Sequence, residues 1–273
     1  MKPAAFDYVR AEDAEQACEL LARVEAARIL AGGQSLMAVL NMRLAQPALL
    51  VDISRTESLN QVSLHPEYLQ VGAAVTQAAL EWRPSLALEL PLLKLAFPWI
   101  SHFPIRNRGT VCGSIAHADP SAELPLCLLV LEGRVLLRSA RGRRELAAED
   151  FFTGMLSTAC AGDELVEAVR FPLARAGQTF GFREFARRHG DYAVCAVAAV
   201  ADAHGLRVAV GGVSDRPMAR EWPLLEGSAL DDALNELAWA LDARDDAHMS
   251  AAARRHLVRR LGRQAIDQAR HSR

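Results

Sequence analysis

The sequence predicts a chain in two parts, mixed α/β layers first and a separate α+β unit after them. Three observations carry this. Strand-like and helix-like segments alternate before Pro172, whereas strands come first and helices last after it. The chain has 273 residues, 51% apolar and 23% charged, which suits two moderate cores better than one. That composition, with 17 glycines and 12 prolines, is ordinary for a globular chain and excludes disordered, collagenous and coiled-coil classes.

The elements follow in order. Residues 28–31 form a short apolar run that ends at Gly32-Gly33, a strand entering a tight turn. Leu36, Val39, Leu40 and Leu44 recur at helical spacing, and Pro47 marks the stop. Residues 49–53 read as a buried strand. Residues 68–75 read as another, followed by a helix that Thr76 is placed to cap. Beyond the boundary near Phe171-Pro172, residues 180–188 and 192–202 read as strands. Residues 206–213 pair back across the turn signal His204-Gly205. Two helices, over residues 229–243 and 249–269, close the chain. The last carries Arg254, Arg255, Arg259, Arg260 and Arg263, either a solvated basic face or a docking face for an acidic partner.

Charge and cysteine usage narrow the function classes. A formal net charge of -2 leaves no general footprint for nucleic acid. The apolar runs are too short to span a bilayer, and the N-terminus lacks an apolar signal core. A cytoplasmic protein with no integral membrane segment is expected. Cysteines at positions 18, 112, 127, 160 and 195 are scattered, with no C-x-x-C, and read as reduced, packed thiols rather than cluster ligands.

Two glycine-rich segments carry the chemistry. Ala31-Gly32-Gly33-Gln34-Ser35 lies between a strand and a helix, where paired glycines let the backbone bend and approach a ligand closely. Free amides at such a turn favour a phosphate or pyrophosphate, although a plain tight turn also fits. Neither the G-x-G-x-x-G nor the G-x-x-x-x-G-K-[ST] pattern is present. The second segment, residues 105–125, reads I-R-N-R-G-T-V-C-G-S-I-A-H-A-D-P-S-A-E-L-P, with small residues and hydroxyls concentrated between Gly109 and Ser114. Two such loops in one half of the chain suggest a grip on one extended dinucleotide.

On A-G-G-Q-S, on I-R-N-R-G-T-V-x-G-S-I-A-H-A-D-P-x-A-E-L-P, and on F-x-R-R-H-G-D-Y-A at residues 185–193, the chain resembles a known family. It is the FAD-binding medium subunit of the molybdenum hydroxylases, the group of aerobic carbon monoxide dehydrogenase, xanthine dehydrogenase and bacterial N-heterocycle hydroxylases. The resemblance implies a two-subdomain FAD-binding fold of the vanillyl-alcohol-oxidase (PCMH) type over residues 1–172, split near residues 55–60. Residues 173–273 would be the small α+β C-terminal domain of this subunit.

Residue roles follow from the resemblance. The FAD pyrophosphate would lie against Ala31, Gly32, Gly33, Gln34 and Ser35, flanked by Leu30 and Leu36, and against Thr110, Cys112, Gly113 and Ser114. Glu123 would take ribityl or flavin hydrogen bonds, Ile100 and Val166 would pack on the cofactor, and Tyr192 would stand by the isoalloxazine ring as a flavin gate. The family usually has T-[IV]-G-G-S where this chain has Thr110-Val111-Cys112-Gly113-Ser114. The added Cβ matters only if φ is positive there. The FAD would be non-covalent. The resemblance further implies a large molybdopterin-bearing subunit and a small subunit with two [2Fe-2S] clusters, assembled as a dimer of heterotrimers, with electrons leaving through FAD to an external acceptor.

Rival readings rest on less. Ser35, His117 and Asp119 lack a G-x-S-x-G elbow and suggest no hydrolase. His102, His117 and Asp119 lack the helical pairing of zinc motifs, so no metal site is expected. A stand-alone FAD oxidoreductase, or a flavin-less relative of the same fold, is the alternative function.

Overall fold

The structure is a computed structural model that describes residues 2–247 and 249–271. The chain opens with β1 (Asp7–Arg10), helix α1 (Ala14–Arg23), β2 (Ala27–Leu30), α2 (Leu36–Asn41) and β3 (Leu49–Asp52). The strands form a parallel sheet of order β1-β3-β2, in which every residue of β3 is buried. Helix α1 starts where Asp13 accepts from the Gln16 amide at 2.8 Å, while the Gln16 side chain accepts from the Glu12 amide, so two amides at the helix start are satisfied. Helix α2 stops at Asn41, and Leu44 lies beyond it, exposed. The helical spacing therefore overran the element: Arg43 turns to a φ of 56° and ends the helix before Pro47 is reached.

A second sheet follows. β4 (Val62–Leu64) and β5 (Tyr68–Gly72) precede a run of short helices: α3 (Gln77–Glu81), α4 (Leu86–Glu89), α5 (Pro91–Ala96), α6 (Phe103–Arg106), α7 (Val111–His117) and α8 (Glu123–Val130). Thr76 caps α3 by accepting from the Ala79 amide. The chain then adds β6 (Arg134–Ser139), β7 (Gly142–Ala147), a turn of helix α9 (Ala148–Phe151), the short pair β8 (Phe152–Gly154) and β9 (Ser157–Thr158), and β10 (Leu165–Pro172). β4, β5, β10, β6 and β7 form an antiparallel sheet in that order, with β10 at its centre.

The last part is an antiparallel meander of β11 (Thr179–Phe185), β12 (Cys195–Ala201), β13 (Leu206–Gly211) and β14 (Met218–Trp222), closed by α10 (Gly227–Ala240) and α11 (Ala251–His271). All of β12 is buried, because it is covered on both faces. Cys195, Val197, Ala199 and Ala201 face α10 and α11, whereas Ala196, Ala198 and Val200 join Phe180 and Phe182 in the larger core of the first part. Helix α8, apolar on every side after its first residue, fills the space between that sheet and the rest, touching β12 and β13. Its first residue is Glu123.

Two strands are shorter than the sequence suggests. β11 ends at Phe185 and β12 begins at Cys195, so residues 186–194 are a loop between them, carrying Gly190 at a φ of 83°. The arginines of α11 mostly turn back on the chain. Arg254 is buried and donates to the carbonyls of Val194 and Gly212, Arg255 lies 4.0 Å over the Trp239 ring, and Arg259 and Arg263 bond to Asn235 and Asp231 of α10. Arg260 alone of the five stays exposed.

Candidate functional site

A cleft of about 410 Å³ opens at the carboxyl end of the parallel sheet, lined by Leu30, Ala31, Gly32, Gly33, Gln34, Met37, Asp52, Ser54 and Arg108. The loop after β2 forms one wall. Gly33 has a φ of 70° and sends its carbonyl to the Met37 amide, while Gln34 Nε2 donates to the Gly32 carbonyl at 2.9 Å, holding the turn tight. The amides of residues 32–35 donate to no acceptor among the described residues. They form a set of N–H groups of the kind that holds an anion.

The second glycine loop closes on the first. A Cβ on Gly32 would lie 2.2 Å from the Arg108 carbonyl oxygen and 2.6 Å from Gly109 Cα, so the two backbones touch there. The second loop is itself pinned: Gln77 donates its amide to Gly109, Val111 donates to Val75, and Thr110 caps α7 by accepting from the Gly113 amide at 2.9 Å. Ser114 stands on the first turn of α7, half-buried.

Beside this loop, Arg106 forms a buried bidentate pair with Glu81, at 2.8 and 3.1 Å, and donates to the carbonyls of Ile100 and Ser101. The arginine thereby sets the path of the chain through Ile100, whose side chain is buried in the larger core, and through Ser101, which takes a φ of 45°. The loop bearing Tyr192 rests on the same segment. A Cβ on Gly190 would meet the His102 ring at 2.5 Å, and His189 packs edge-on against Trp99.

Tyr192 is 73% exposed as a whole, and partial desolvation of its hydroxyl, with Asp119 and Glu123 nearby, pushes its phenol up. Glu123 is buried at the start of α8, and burial, with Asp119 adding to it, raises its carboxyl above the ordinary range against smaller opposing pulls from its own backbone amide and from Arg106. Ile100, Arg106, Asp119, Glu123 and Tyr192 thus form a second neighbourhood, joined to the cleft through the loop at residues 106–110. Val166 lies in β10, buried in the larger core beside a bulge in its pairing with β6. Cys112 sits inside α7 with its thiol donated to the Val71 carbonyl at 3.3 Å, and burial pushes that thiol far up. Its backbone is helical, which explains why a Cβ is tolerated where the family pattern has glycine.

Four residues of the cleft were not assigned from sequence: Met37 and three polar ones. Arg108 stood inside the quoted motif without a role, yet it brings the only cation lining the cleft among the described residues. Asp52 and Ser54 lie just past the apolar run of β3. Burial opposes ionisation of Asp52, but hydrogen bonds from Tyr8 at 2.5 Å and from the Ser54 amide, with Arg10 nearby, hold its carboxyl below the usual carboxylate range. An acid at the carboxyl end of a parallel strand is the available signal.

Free amides, a glycine contact with no room for a side chain and an arginine in the lining fit the diphosphate of a dinucleotide, so the fold and the cleft together define a dinucleotide-binding protein. Comparison makes this specific. Residues 4–174 match the family described as the FAD binding domain in molybdopterin dehydrogenase. The chain is 40% identical to the nicotine 6-hydroxylase medium subunit of Paenarthrobacter nicotinovorans, over 98% of this chain and 99% of that one. Among solved structures, quinoline 2-oxidoreductase from Pseudomonas putida 86 superposes with a TM-score of 0.92 at 32% identity, covering 98% of each chain. CO dehydrogenase from Oligotropha carboxidovorans superposes at 0.93 and 29% identity, covering 98% and 99%. The chain belongs to the FAD-binding medium subunits of the molybdenum hydroxylases, and is an oxidoreductase subunit carrying an FAD-binding domain.

Proposed function

We propose that this chain is the electron-transfer subunit of a heterotrimeric molybdenum hydroxylase, taking electrons from a small subunit with two [2Fe-2S] clusters and passing them through FAD to an external acceptor. A large subunit with the molybdopterin cofactor would select and hydroxylate the substrate, and two heterotrimers would pair. The observation that carries this reading is the contact of the two glycine loops at Gly32 and Arg108, which leaves one cleft lined by free amides and by Arg108.

In this reading residues 1–172 bind FAD and residues 173–273 form the C-terminal domain. Leu30, Ala31, Gly32, Gly33, Gln34, Ser35 and Leu36 hold the pyrophosphate together with Thr110, Gly113 and Ser114. The Cys112 position contributes backbone only, since its thiol faces the core. Ile100, Val166, Glu123 and Tyr192 attend the flavin end. Bound FAD supplies the redox chemistry, and the chain supplies binding, orientation and shielding from water. Among the described residues no helix is long and apolar enough to cross a membrane. The free cysteines suit a reducing compartment, and we place the assembly in the cytoplasm.

The test is direct. The purified chain is expected to carry FAD at a stoichiometry near one, and acid precipitation to release all yellow colour into the supernatant. Colour kept in the pellet contradicts non-covalent binding. Co-purification with the products of neighbouring genes, carrying molybdenum and iron, tests the assembly.

A further inference from the structure

Glu184 occupies an unusual position. It is 7% exposed, on the face of β11 that also carries Phe180 and Phe182 into the larger core, and neither of its carboxylate oxygens has a hydrogen-bond partner among the described residues. Its cross-strand neighbour Ala196 lies in the same core. Glu123, equally buried, approaches from the first turn of α8, and both carboxylates act on the thiol of Cys127 one turn further along that helix. Two buried carboxyls thus converge where α8 packs on the C-terminal sheet, and Glu123, the nearer of them to the loop that carries Asp119, also acts on Tyr192.

Two carboxylates in so dry a place do not both ionise near neutrality, because each loses its hydration and repels the other. The Glu123 amide favours its own carboxylate, less than burial opposes it, and the other surrounding groups give little relief. Asp119, from the loop before α8, adds repulsion, and Tyr192 is uncharged near neutrality. Cys127 of α8 and Cys195 of β12 are thiols pushed up by burial. Arg106 of α6 is the one cation that acts on Glu123, and its guanidinium is already committed to Glu81 of α3. Arg254 of α11 reaches Cys195, but is engaged with Asp246. Burial, with Glu123 adding to it, pushes the Glu184 carboxyl well up.

We propose that Glu123 and Glu184 are a redox-linked proton site, holding a proton between them and taking up a further one from solvent, through the Asp119 and Tyr192 end, when the cofactor beside Glu123 gains electrons. This rests on the proposed function, which puts the flavin end of FAD at Glu123. The balance is simple. Electrons arrive from the cluster-bearing subunit, or from an added chemical reductant, without protons. The negative charge they bring raises the proton affinity of the nearby pair. A carboxylate oxygen then forms one O–H bond with a proton drawn from water, and no bond to the cofactor is made or broken by the pair.

Two measurements test it. In the FAD-free chain at neutral pH, infrared spectroscopy is expected to show a buried protonated-carboxyl band that Glu184→Gln removes, the amide keeping the shape of the neutral acid. In the FAD-loaded chain, reductive titration in weak buffer from about pH 7 to about pH 10 is expected to show greater proton uptake per two electrons in the wild type, by up to about one proton, than in Glu184→Gln. Equal uptake in the two proteins, or no such band in the wild type, overturns the proposal while leaving FAD binding intact. A chain that binds no FAD overturns the proposed function itself, and the redox linkage with it.

Discussion

Gly32 and the carbonyl of Arg108 are in contact across the two glycine loops: a Cβ on Gly32 would sit 2.2 Å from that oxygen, nearer than real side chains approach backbone. This single meeting point makes one cleft from segments more than seventy residues apart in the chain. Gly32→Val is therefore expected to drive the loops apart and to purify without flavin, with a loss of stability of about 1–3 kcal/mol. Gly113→Val attacks the same region from within, since its Cβ would meet Thr110 Oγ1 at 2.7 Å and disturb the cap of α7, worth about 1 kcal/mol. Absorbance of the purified variants and thermal melting report both effects. Full flavin content in either variant contradicts the role given to that loop.

In the Arg106–Glu81 pair the carboxylate is buried and the guanidinium nearly so, and the arginine also holds two backbone carbonyls. Removing one partner leaves the other charge in a dry site, so Glu81→Ala is expected to cost about 3–5 kcal/mol, far more than an exposed ion pair. Arg106→Lys keeps the charge and loses the fork, and is expected to weaken FAD binding more than it lowers the melting temperature, because the Ile100–Ser101 path relaxes. Denaturant melts and FAD titration of the two variants separate these outcomes. An unchanged affinity in Arg106→Lys removes the arginine from the description of the site.

Much of this was legible in the sequence, and for identifiable reasons. The two loops were found because glycines, hydroxyls and small residues mark close backbone approach, and β2, β3, β5 and β13 because apolar runs end at turn residues. The strand limits at Phe185 and Cys195 were not legible, because residues 192–194 continue the apolar run of β12 while their backbone belongs to the loop seated on Ser101 and His102. β14 was missed because Met-Ala-Arg-Glu-Trp, on a sheet edge, has no apolar alternation to read. The folded-back arginines of α11 were hidden too, since their partners on α10 and in the β12 region are set by tertiary packing. Glu184 carried no signal at all. A glutamate in a strand reads as solvent-facing until the helix opposite is known.

The same packing decides the chemistry of Cys112. Its thiol is fully buried, donated to the Val71 carbonyl and pushed far up by burial, so it is a poor nucleophile and no redox partner. Cys160 is the least buried thiol, though burial and Glu164 push it up to about 11. A thiol reagent at neutral pH is expected to modify Cys160 slowly and Cys112 only after unfolding. Cys112→Gly is expected to destabilise by about 1 kcal/mol through lost packing and the entropy of glycine within α7. Rapid labelling of Cys112 in the native protein would revive a redox role.

The raised carboxyls give the stability a definite pH dependence. Glu123 and Glu184 have folded-state proton affinities above those of the unfolded chain, chiefly through burial. Such groups contribute stability that is fully present below the unfolded value, about pH 4.3 for a glutamate, and that is lost as pH rises through the folded value. The pair therefore makes the protein progressively less stable above neutrality, whereas Asp52, held low, gives way only in acid. Glu184→Gln is expected to melt near the wild type at mildly acid pH and above it in alkali. Parallel melting curves for the two proteins across that range would place the Glu184 carboxyl in solvent.

Tyr192 leaves the polar loop after β11 with its ring largely exposed, while Gly190 and His189 of the same loop are anchored on His102 and Trp99. A rigidly seated loop that presents an open aromatic face suits contact with a planar ring, and stacking there is worth on the order of 1 kcal/mol. On the proposed function, that ring limits which acceptor reaches the flavin, whereas electrons from the clusters arrive by another route. Tyr192→Ala is accordingly expected to retain most of the FAD, to change the rate of reoxidation by dioxygen, NAD+ or an artificial quinone, and to leave substrate-driven reduction in the assembled complex nearly as it was. Tyr192→Phe keeps the ring and is expected to restore the wild-type rates, which separates stacking from any role of the hydroxyl. Reoxidation unchanged in Tyr192→Ala with all three acceptors would reduce Tyr192 to a surface residue that the cofactor does not use.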